Sequence, residues 1–233
     1  MFTAENKNLN RTGLIVFDGN SLGTGNATPS NTTGWQLQLI KLLDINGNFR
    51  CPNWNMICIG GQATTAMTSQ QAANLFPLYS NTRAFNIVIA MEVRNDLVFG
   101  ASTTDAYNHM VTYCQNAKNN GFYVIGVNHT PSQGGSPVGR TQAQLETARQ
   151  TVRSSFLTDF NVATNYSLVF KPANGITYAN LWVDVGGDAV MGDWNNCTDV
   201  SLYSDTTHTT TTGATNIATI MARGIKCAMD SFT

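Results

Sequence analysis

The sequence predicts an α/β protein, a three-layer α/β/α sandwich around a central, mainly parallel sheet of about five strands. Short, almost continuous apolar runs recur along the chain, as is typical of strands buried on both faces of a parallel sheet. Segments with the apolar spacing of helices alternate with these runs. The length of 233 residues suits one sizeable core. We therefore predict a single domain over residues 1–233, with an extended N-terminal segment at 1–11.

Five apolar segments are the predicted strands of this sheet. They are Leu14–Phe17, Trp54–Ile59, Phe85–Met91, Phe122–Val127 and Leu181–Val185. In a fold of this kind the functional site lies beyond the carboxyl ends of the strands. Ser21, Gly60–Gly61 and Asn95–Asp96 each follow one of the first three strands, so we expect them at that edge of the sheet.

Four longer segments have the spacing of amphipathic helices. They are Trp35–Leu43, Thr104–Asn119, Thr141–Phe160 and Thr212–Met229. For the second of these, Thr103 or Thr104 is the predicted N-cap, and the helix is expected to end near Asn120–Gly121. The segment 131–139 is rich in Gly, Pro and Ser, which predicts a surface loop at the border of the site.

The charge composition excludes several classes of function. Only 12% of the residues are charged, against about 25% in an average soluble domain, and the formal net charge is -1. Such a chain has no electrostatic basis for binding nucleic acid. No apolar stretch approaches the roughly 18 residues of a membrane span, and the polar residues 1–11 lack the pattern of a signal peptide. A composition rich in Asn and Thr is common in extracellular, cell-surface and viral tail proteins, and it leaves the compartment open.

The sequence indicates neither a metal site nor a cofactor. The His and Asp residues are too scattered for a metal site, and the cysteines lack the Cys-x-x-Cys spacing of zinc ligands. Free buried thiols are the predicted state of most of the five cysteines, with one or two disulfides as the alternative. The cysteines are Cys51, Cys58, Cys114, Cys197 and Cys227.

Two segments far apart in the chain together hold the groups needed for acyl transfer. Ser21 follows the first predicted strand, and Asp205 precedes His208 by three residues. A serine hydroxyl attacks an ester when a neighbouring base takes its proton and an acid orients that base. Gly19–Gly23 also fits the Gly-x-Ser-x-Gly elbow of α/β-hydrolases, but in those enzymes the serine follows a central strand, and acid and histidine lie on separate loops.

Four sequence blocks resemble those of the SGNH hydrolases, also called GDSL esterases and lipases. Their order and spacing match the family over residues 13–220. The blocks are Gly19–Leu22, Ile59–Thr65, Val93–Asp96 and Asp205–His208. The resemblance implies the flavodoxin-like SGNH hydrolase fold and a serine esterase that needs no cofactor.

The resemblance also implies a role for each catalytic group. Ser21 is the expected nucleophile, His208 the general base, and Asp205 the acid that fixes the imidazole tautomer. The backbone N–H groups of Ser21 and Gly61 and the side-chain amide of Asn95 are the expected oxyanion hole. Each such donor contributes about 3 kcal/mol of transition-state stabilisation.

Two residues depart from the family pattern. Asn20 replaces the usual acid of the first block, and Val93 replaces the usual glycine of the third block. A β-branched valine predicts that the loop there takes a conformation open to such residues. Asn20, Arg94 and His129 are candidate contacts to the substrate, since all three fall at the functional edge of the predicted sheet.

Three further polar residues near these blocks are given structural roles. Asp18 is predicted to accept hydrogen bonds from loop amides, and Asp96 to cap or orient the loop of Asn95. His109 lies inside the second predicted helix.

The sequence therefore predicts a serine esterase that cleaves short-chain carboxylic esters through an acyl-Ser21 intermediate. O-acetyl groups on carbohydrate are the first expected substrates, because no apolar lid-like stretch suggests a long-chain lipase. The partner is then a small ester or an acetylated glycan. The alternatives are an inactive carbohydrate-binding or adhesin domain with the same fold, and a lysophospholipase or thioesterase.

Overall fold

The computed structural model of the protein describes residues 13–24, 34–45, 53–83, 85–164, 167–169 and 179–230. Within these residues the chain forms a seven-stranded sheet of order β2-β1-β3-β4-β7-β5-β6. The strands are β1 Leu14–Gly19, β2 Asn53–Met56, β3 Asn86–Met91, β4 Tyr123–Val127, β5 Val162–Thr164, β6 Ser167–Val169 and β7 Leu181–Val183. All neighbouring pairs are parallel except β5 with β6.

The five predicted strands are the parallel core of this sheet, in the order that flavodoxin-like folds have. The second is shorter than predicted and ends at Met56, although the N–H groups of Ile57 and Ile59 still bond the carbonyls of Phe17 and Gly19 at 2.9 and 3.0 Å. The hairpin of β5 and β6 was not predicted. Its strands have three residues each, too few for a hydrophobic period to show.

Seven α-helices surround the sheet in the described part of the chain. They are α1 Ser21–Thr24, α2 Trp35–Ile45, α3 Thr64–Asn74, α4 Arg94–Val98, α5 Thr103–Asn119, α6 Gln142–Asp159 and α7 Thr211–Asp230. Short 3-10 turns cover Phe76–Leu78, Val185–Gly187 and Trp194–Thr198. The four longer predicted helices are α2, α5, α6 and α7. Sequence reasoning missed α3 because Met67 is its only large apolar residue.

The caps of two helices can be compared with the sequence. The N-cap of α5 is Ser102, whose hydroxyl accepts the Asp105 N–H at 3.0 Å, so the prediction of Thr103 or Thr104 was wrong by one or two residues. Thr141 and Gln144 form a capping box at the start of α6.

Two hydrophobic cores lie on opposite faces of the sheet, which confirms the three layers. Ile15 and Phe17 of β1 point to the core beneath α2 and α7, whereas Leu14 and Val16 point to the core beneath α3, α5 and α6. Side chains of a strand alternate between faces, so a strand apolar at every position must be buried on both. Trp182 is a core residue, stacked on Phe156 with ring centroids 3.9 Å apart.

No described helix is long and apolar enough to cross a bilayer. Cys58, Cys114 and Cys197 are free thiols, as predicted, whereas Cys51 and the side chain of Cys227 lie outside the described residues.

Candidate active site

Ser21 lies at the carboxyl end of β1 and is the first residue of α1. Asn20 turns the chain there, since its side-chain oxygen accepts the N–H of Leu22 at 2.9 Å and its carbonyl accepts the N–H of Gly23 at 2.9 Å. Gly19 has to be glycine because a Cβ atom would lie 2.5 Å from the carbonyl oxygen of Met91 on the neighbouring strand. The serine is therefore held on a tight turn, half-exposed at the edge where we expected it.

Asp205 and His208 share one turn, which the carboxylate itself holds together. One oxygen, Oδ1, accepts the N–H groups of Thr207 and His208 at 3.1 and 2.7 Å, and Oδ2 lies 2.7 Å from Nδ1 of the imidazole. Thr206 adopts φ +64° inside this turn. Burial alone would raise the pKa of the Asp205 carboxyl, but the hydrogen bonds and charge of His208 outweigh it and lower the pKa. The carboxylate is therefore ionised at neutral pH.

The remaining nitrogen of His208 reaches the serine. Nε2 lies 2.9 Å from Oγ of Ser21, although the two residues are far apart in the chain. The structure thus brings the three predicted groups into one hydrogen-bonded chain, Asp205–His208–Ser21. With the Nδ1 proton donated to the carboxylate, Nε2 is an acceptor directed at the serine hydroxyl.

The loop at 131–139 supports the turn that carries His208. The N–H of Gln133 donates to the carbonyl of Thr206 at 3.0 Å, and the hydroxyls of Ser132 and Thr207 lie 2.7 Å apart. From the other side Arg94 donates to the carbonyl of Gly134 at 2.6 Å. This loop therefore lies between the third and fourth sequence blocks and makes hydrogen bonds to both.

The second and third blocks meet at Gln62. Its carbonyl accepts one N–H of the Asn95 side-chain amide at 2.9 Å, and its own side chain donates to the carbonyl of Gly19 at 2.7 Å. Gly61 stands beside it with φ +78°, a left-handed conformation that favours glycine. Gly61 and Asn95 are thus on adjoining turns, both tied to the strand end that carries Ser21.

Val93 has a backbone conformation that the sequence did not predict. Its φ is +112°, in the region favoured by glycine, and its side chain is 6% exposed in the core beneath α3, α5 and α6. The expectation that this loop is open to a β-branched residue was wrong, because valine occupies the glycine-type conformation. Such strain costs on the order of 1–3 kcal/mol and persists where the surroundings fix the backbone.

Glycine at this position is expected to cost unusually little. Val93→Gly removes a buried side chain but relieves the strain, so we expect a loss of about 0–2 kcal/mol in the free energy of unfolding. Val88→Gly, at a fully buried valine of β3, is the matched control and should cost roughly 3–5 kcal/mol. Urea unfolding of both variants measures the difference. Equal losses would show that Val93 is not strained.

Two of the predicted substrate contacts are buried inside the protein. Asn20 and His129 are 1% and 3% exposed, and the Asn20 amide nitrogen lies 3.2 Å from Nε2 of His129. Burial lowers the pKa of His129 to about 3, so the imidazole is neutral. The prediction that these two residues contact substrate was wrong, because both are used in the packing behind the site.

Arg94 also uses its charge within the protein. Its guanidinium donates to the Asn95 side-chain oxygen at 3.1 Å, in addition to Gly134. These bonds orient the Asn95 amide, and contact of Arg94 with substrate stays a prediction.

Glu92 is the polar residue that sequence reasoning missed. It ends the apolar run of β3 and is 0% exposed, with Oε1 accepting the N–H of Asn95 at 2.6 Å and Oε2 accepting the amide of Asn20. Burial raises the pKa of its carboxyl well above the ordinary value, the charge of Asp96 adds to this, and the Asn95 N–H opposes it. An acid directly after a buried strand was the available signal.

Asp18 and Asp96 are structural, as predicted, but Asp96 acts elsewhere. The Asp18 carboxylate accepts the Gly19 N–H and the Tyr113 hydroxyl at 2.9 and 2.7 Å, and burial raises its pKa to about 6. Asp96 caps α3 by accepting the N–H and hydroxyl of Thr64 at 2.9 and 2.6 Å. Its other oxygen lies 2.7 Å from Nδ1 of His109, which lies in α5.

The described residues contain no group of three His, Cys, Asp or Glu side chains that could hold a metal ion.

The chain is similar in structure to several esterases and lipolytic proteins. The psychrotrophic esterase EstA from Pseudoalteromonas sp. superposes with a TM-score of 0.62 at 12% identity, over 93% of this chain and 98% of that one. A member of the lipolytic G-D-S-L family from Veillonella parvula gives a TM-score of 0.59 at 13% identity, over 92% and 97%. The acetyl xylan esterase AlAXEase gives 0.59 at 12% identity, over 94% and 99%.

The protein has the fold of these esterases. The resemblance seen in the four sequence blocks is thereby confirmed at the level of fold. No protein-family model and no curated protein matches the chain in sequence.

Proposed function

We propose that the protein is a serine esterase of the SGNH type. The observation that carries this proposal is the hydrogen-bonded chain from Asp205 through His208 to Ser21 at the carboxyl edge of a parallel sheet. That arrangement has the nucleophile, base and orienting acid of covalent acyl transfer, in the geometry the reaction requires.

The reaction proceeds in two halves. Oγ of Ser21 attacks the ester carbonyl carbon while Nε2 of His208 takes the hydroxyl proton. The tetrahedral intermediate collapses, the C–O bond to the alcohol breaks, and the alcohol leaves with the proton from His208. Water then attacks the acyl-Ser21 ester while His208 takes one of its protons. The C–O bond to Ser21 breaks, His208 returns the proton to Oγ, and the carboxylic acid is released.

The developing oxyanion requires hydrogen-bond donors directed at the former carbonyl oxygen. The N–H groups of Ser21 and Gly61 and the free N–H of the Asn95 amide are the donors we propose. Two contacts support this assignment: Gln62 holds the other amide N–H of Asn95, and Arg94 holds its oxygen. Donors fixed in advance lower the barrier because they need no reorganisation during the reaction.

Short acyl esters, and O-acetyl groups on carbohydrate in particular, are the proposed substrates. The similarity to an acetyl xylan esterase supports this choice, as does the sequence without an apolar lid-like stretch. A thioesterase or lysophospholipase would use the same residues with a larger acyl pocket.

The substrate proposal predicts a preference for the smallest acyl group. We expect kcat/KM to be at least tenfold higher for p-nitrophenyl acetate than for the butyrate. One methylene more or less in an acyl pocket changes the discrimination between two substrates by about 1–3 kcal/mol, and the butyrate has two more than a pocket for acetyl accommodates. Release of acetate from acetylated xylan tests whether O-acetyl groups on carbohydrate are hydrolysed. A preference for longer acyl chains would favour the thioesterase or lysophospholipase alternative.

A fluorophosphonate separates an esterase from a binding module on the same fold. The probe reacts with activated serines, so mass spectrometry should find the adduct on Ser21 of the wild-type protein. If no adduct forms and no ester is hydrolysed, the proposed function fails and the carbohydrate-binding alternative is favoured.

A further inference from the structure

One buried carboxylate joins the turn of the nucleophile to the turn of the proposed oxyanion hole. Oε1 of Glu92 accepts the backbone N–H of Asn95 at 2.6 Å, and Oε2 accepts the side-chain amide of Asn20. The same Asn20 side chain accepts the N–H of Leu22 through its oxygen at 2.9 Å. An unbroken path of three hydrogen bonds therefore runs from α1 to α4 through Glu92.

The contacts require an acceptor on both oxygens of Glu92. Each oxygen faces an N–H donor, Oε2 that of Asn20 and Oε1 that of Asn95, so neither oxygen can be replaced by a donor without loss of a hydrogen bond. Burial raises the pKa of this group well above its ordinary value. His129 is neutral and its Nε2 lies 3.7 Å from Oε2, too far for a hydrogen bond. Burying a carboxyl group is costly unless hydrogen bonds compensate. The N–H groups of Asn95 and Val93 and the charge of Arg94 all favour the ionised form of Glu92 and oppose the effect of burial.

The neighbouring backbone depends on the same group. Val93, with φ +112°, reverses the chain so that the N–H of Asn95 returns to the carboxylate three residues before it. A strained turn needs strong contacts to hold it, and the charge-assisted bond from Asn95 to Glu92 is one. The SGNH blocks have an acid at the position of Asn20. In this chain Asn20 carries no carboxylate, and its amide donates to the carboxylate of Glu92 instead.

We propose that Glu92 is the positioning residue of this esterase, and that it sets the Asn95 amide relative to Ser21 by bridging the two turns. The inference rests on the proposed function and adds a residue to it. Glu92 touches no reacting atom in this scheme. It acts by fixing where the nucleophile and the oxyanion donors stand, and small displacements of such groups have large effects on kcat.

Glu92→Gln tests the requirement for two acceptors. The variant keeps the shape, but its NH2 group must face either the Asn20 amide or the Asn95 N–H, both of which are donors. A flip of Asn20 does not help, because its NH2 would then face the N–H of Leu22. We expect kcat for p-nitrophenyl acetate to fall about 100-fold with KM changed less than threefold, as for a misplaced catalytic group.

The double variant Asn20→Asp/Glu92→Gln restores every bond. The carboxylate introduced at position 20 accepts the Leu22 N–H and the NH2 group of the glutamine introduced at position 92. The side-chain oxygen of that glutamine accepts the Asn95 N–H, and His129 can donate through Nε2 by changing tautomer. We expect kcat to return to within tenfold of wild type. The single variant Asn20→Asp places two carboxylates together and should have the lowest melting temperature of the set.

The outcomes are separable. A kcat of Glu92→Gln within threefold of wild type overturns the proposal, and so does a double variant that melts like wild type but stays as slow as Glu92→Gln. If Glu92→Gln does not fold, recovery of both folding and kcat in the double variant still supports the bridge, and failure to recover them overturns it. A wild-type protein inert to both p-nitrophenyl acetate and the fluorophosphonate overturns the proposed function, and the positioning role with it.

Discussion

Replacing Ser21 with alanine is expected to lower kcat for p-nitrophenyl acetate roughly 10⁵- to 10⁶-fold. The variant lacks the hydroxyl that His208 contacts at 2.9 Å, so no acyl-enzyme can form. His208→Ala should be as slow, because the residues of such a set act as a unit and their losses do not add. Steady-state kinetics of the wild type and both variants measure the effect.

A second serine provides the control for Ser21→Ala. Ser69 is exposed on α3 and its hydroxyl donates to a carbonyl of its own helix at 2.8 Å, so Ser69→Ala should leave kcat within twofold. Fluorophosphonate labelling should likewise persist in Ser69→Ala and vanish in Ser21→Ala. Labelling or turnover that survives in Ser21→Ala would identify a different nucleophile and contradict the proposed mechanism.

The parts of the fold that the sequence predicted are those with a strong local signal. The apolar runs of β1, β3 and β4 are short and nearly continuous, which is typical of strands in a parallel sheet, and all their residues except Tyr123 are buried. Helix α3 gives a weak signal because it is polar around most of its surface. Its start is instead fixed by the distant carboxylate of Asp96, a contact that no local pattern contains.

In the candidate site, too, the residues with a clear sequence signal were predicted and the others were not. Ser21, Asp205 and His208 were found because their residue types and spacing match a chemical requirement, and the structure brings them into contact. The roles of Asn20 and His129 were predicted wrongly because being near a strand end does not show whether a side chain faces solvent or the interior. Burial is a property of the packed molecule. Here it places Asn20 and His129 behind the site, where their side chains contact each other.

Replacing Asp205 with asparagine is expected to lower kcat about 10³- to 10⁴-fold with little change in stability. Asparagine keeps the oxygen that accepts the N–H groups of Thr207 and His208, so the turn should survive. Its NH2 group would face Nδ1 of the imidazole and make that nitrogen an acceptor. The proton would then sit on Nε2, directed at Ser21, and His208 could no longer take the hydroxyl proton.

The control for this substitution is Asp199→Asn. Asp199 accepts the N–H of Ser201 at 2.8 Å in a similar turn but contacts no histidine, so kcat should stay within twofold. Melting temperatures of the two variants check that neither turn has collapsed. If Asp205→Asn retains more than a tenth of the wild-type kcat, the carboxylate serves only to build the turn, and His208 is oriented without it. If Asp205→Asn is slow yet melts like wild type, the hydrogen bonds that build the turn are still in place. The loss of kcat is then due to the wrong tautomer of His208, with its proton on Nε2.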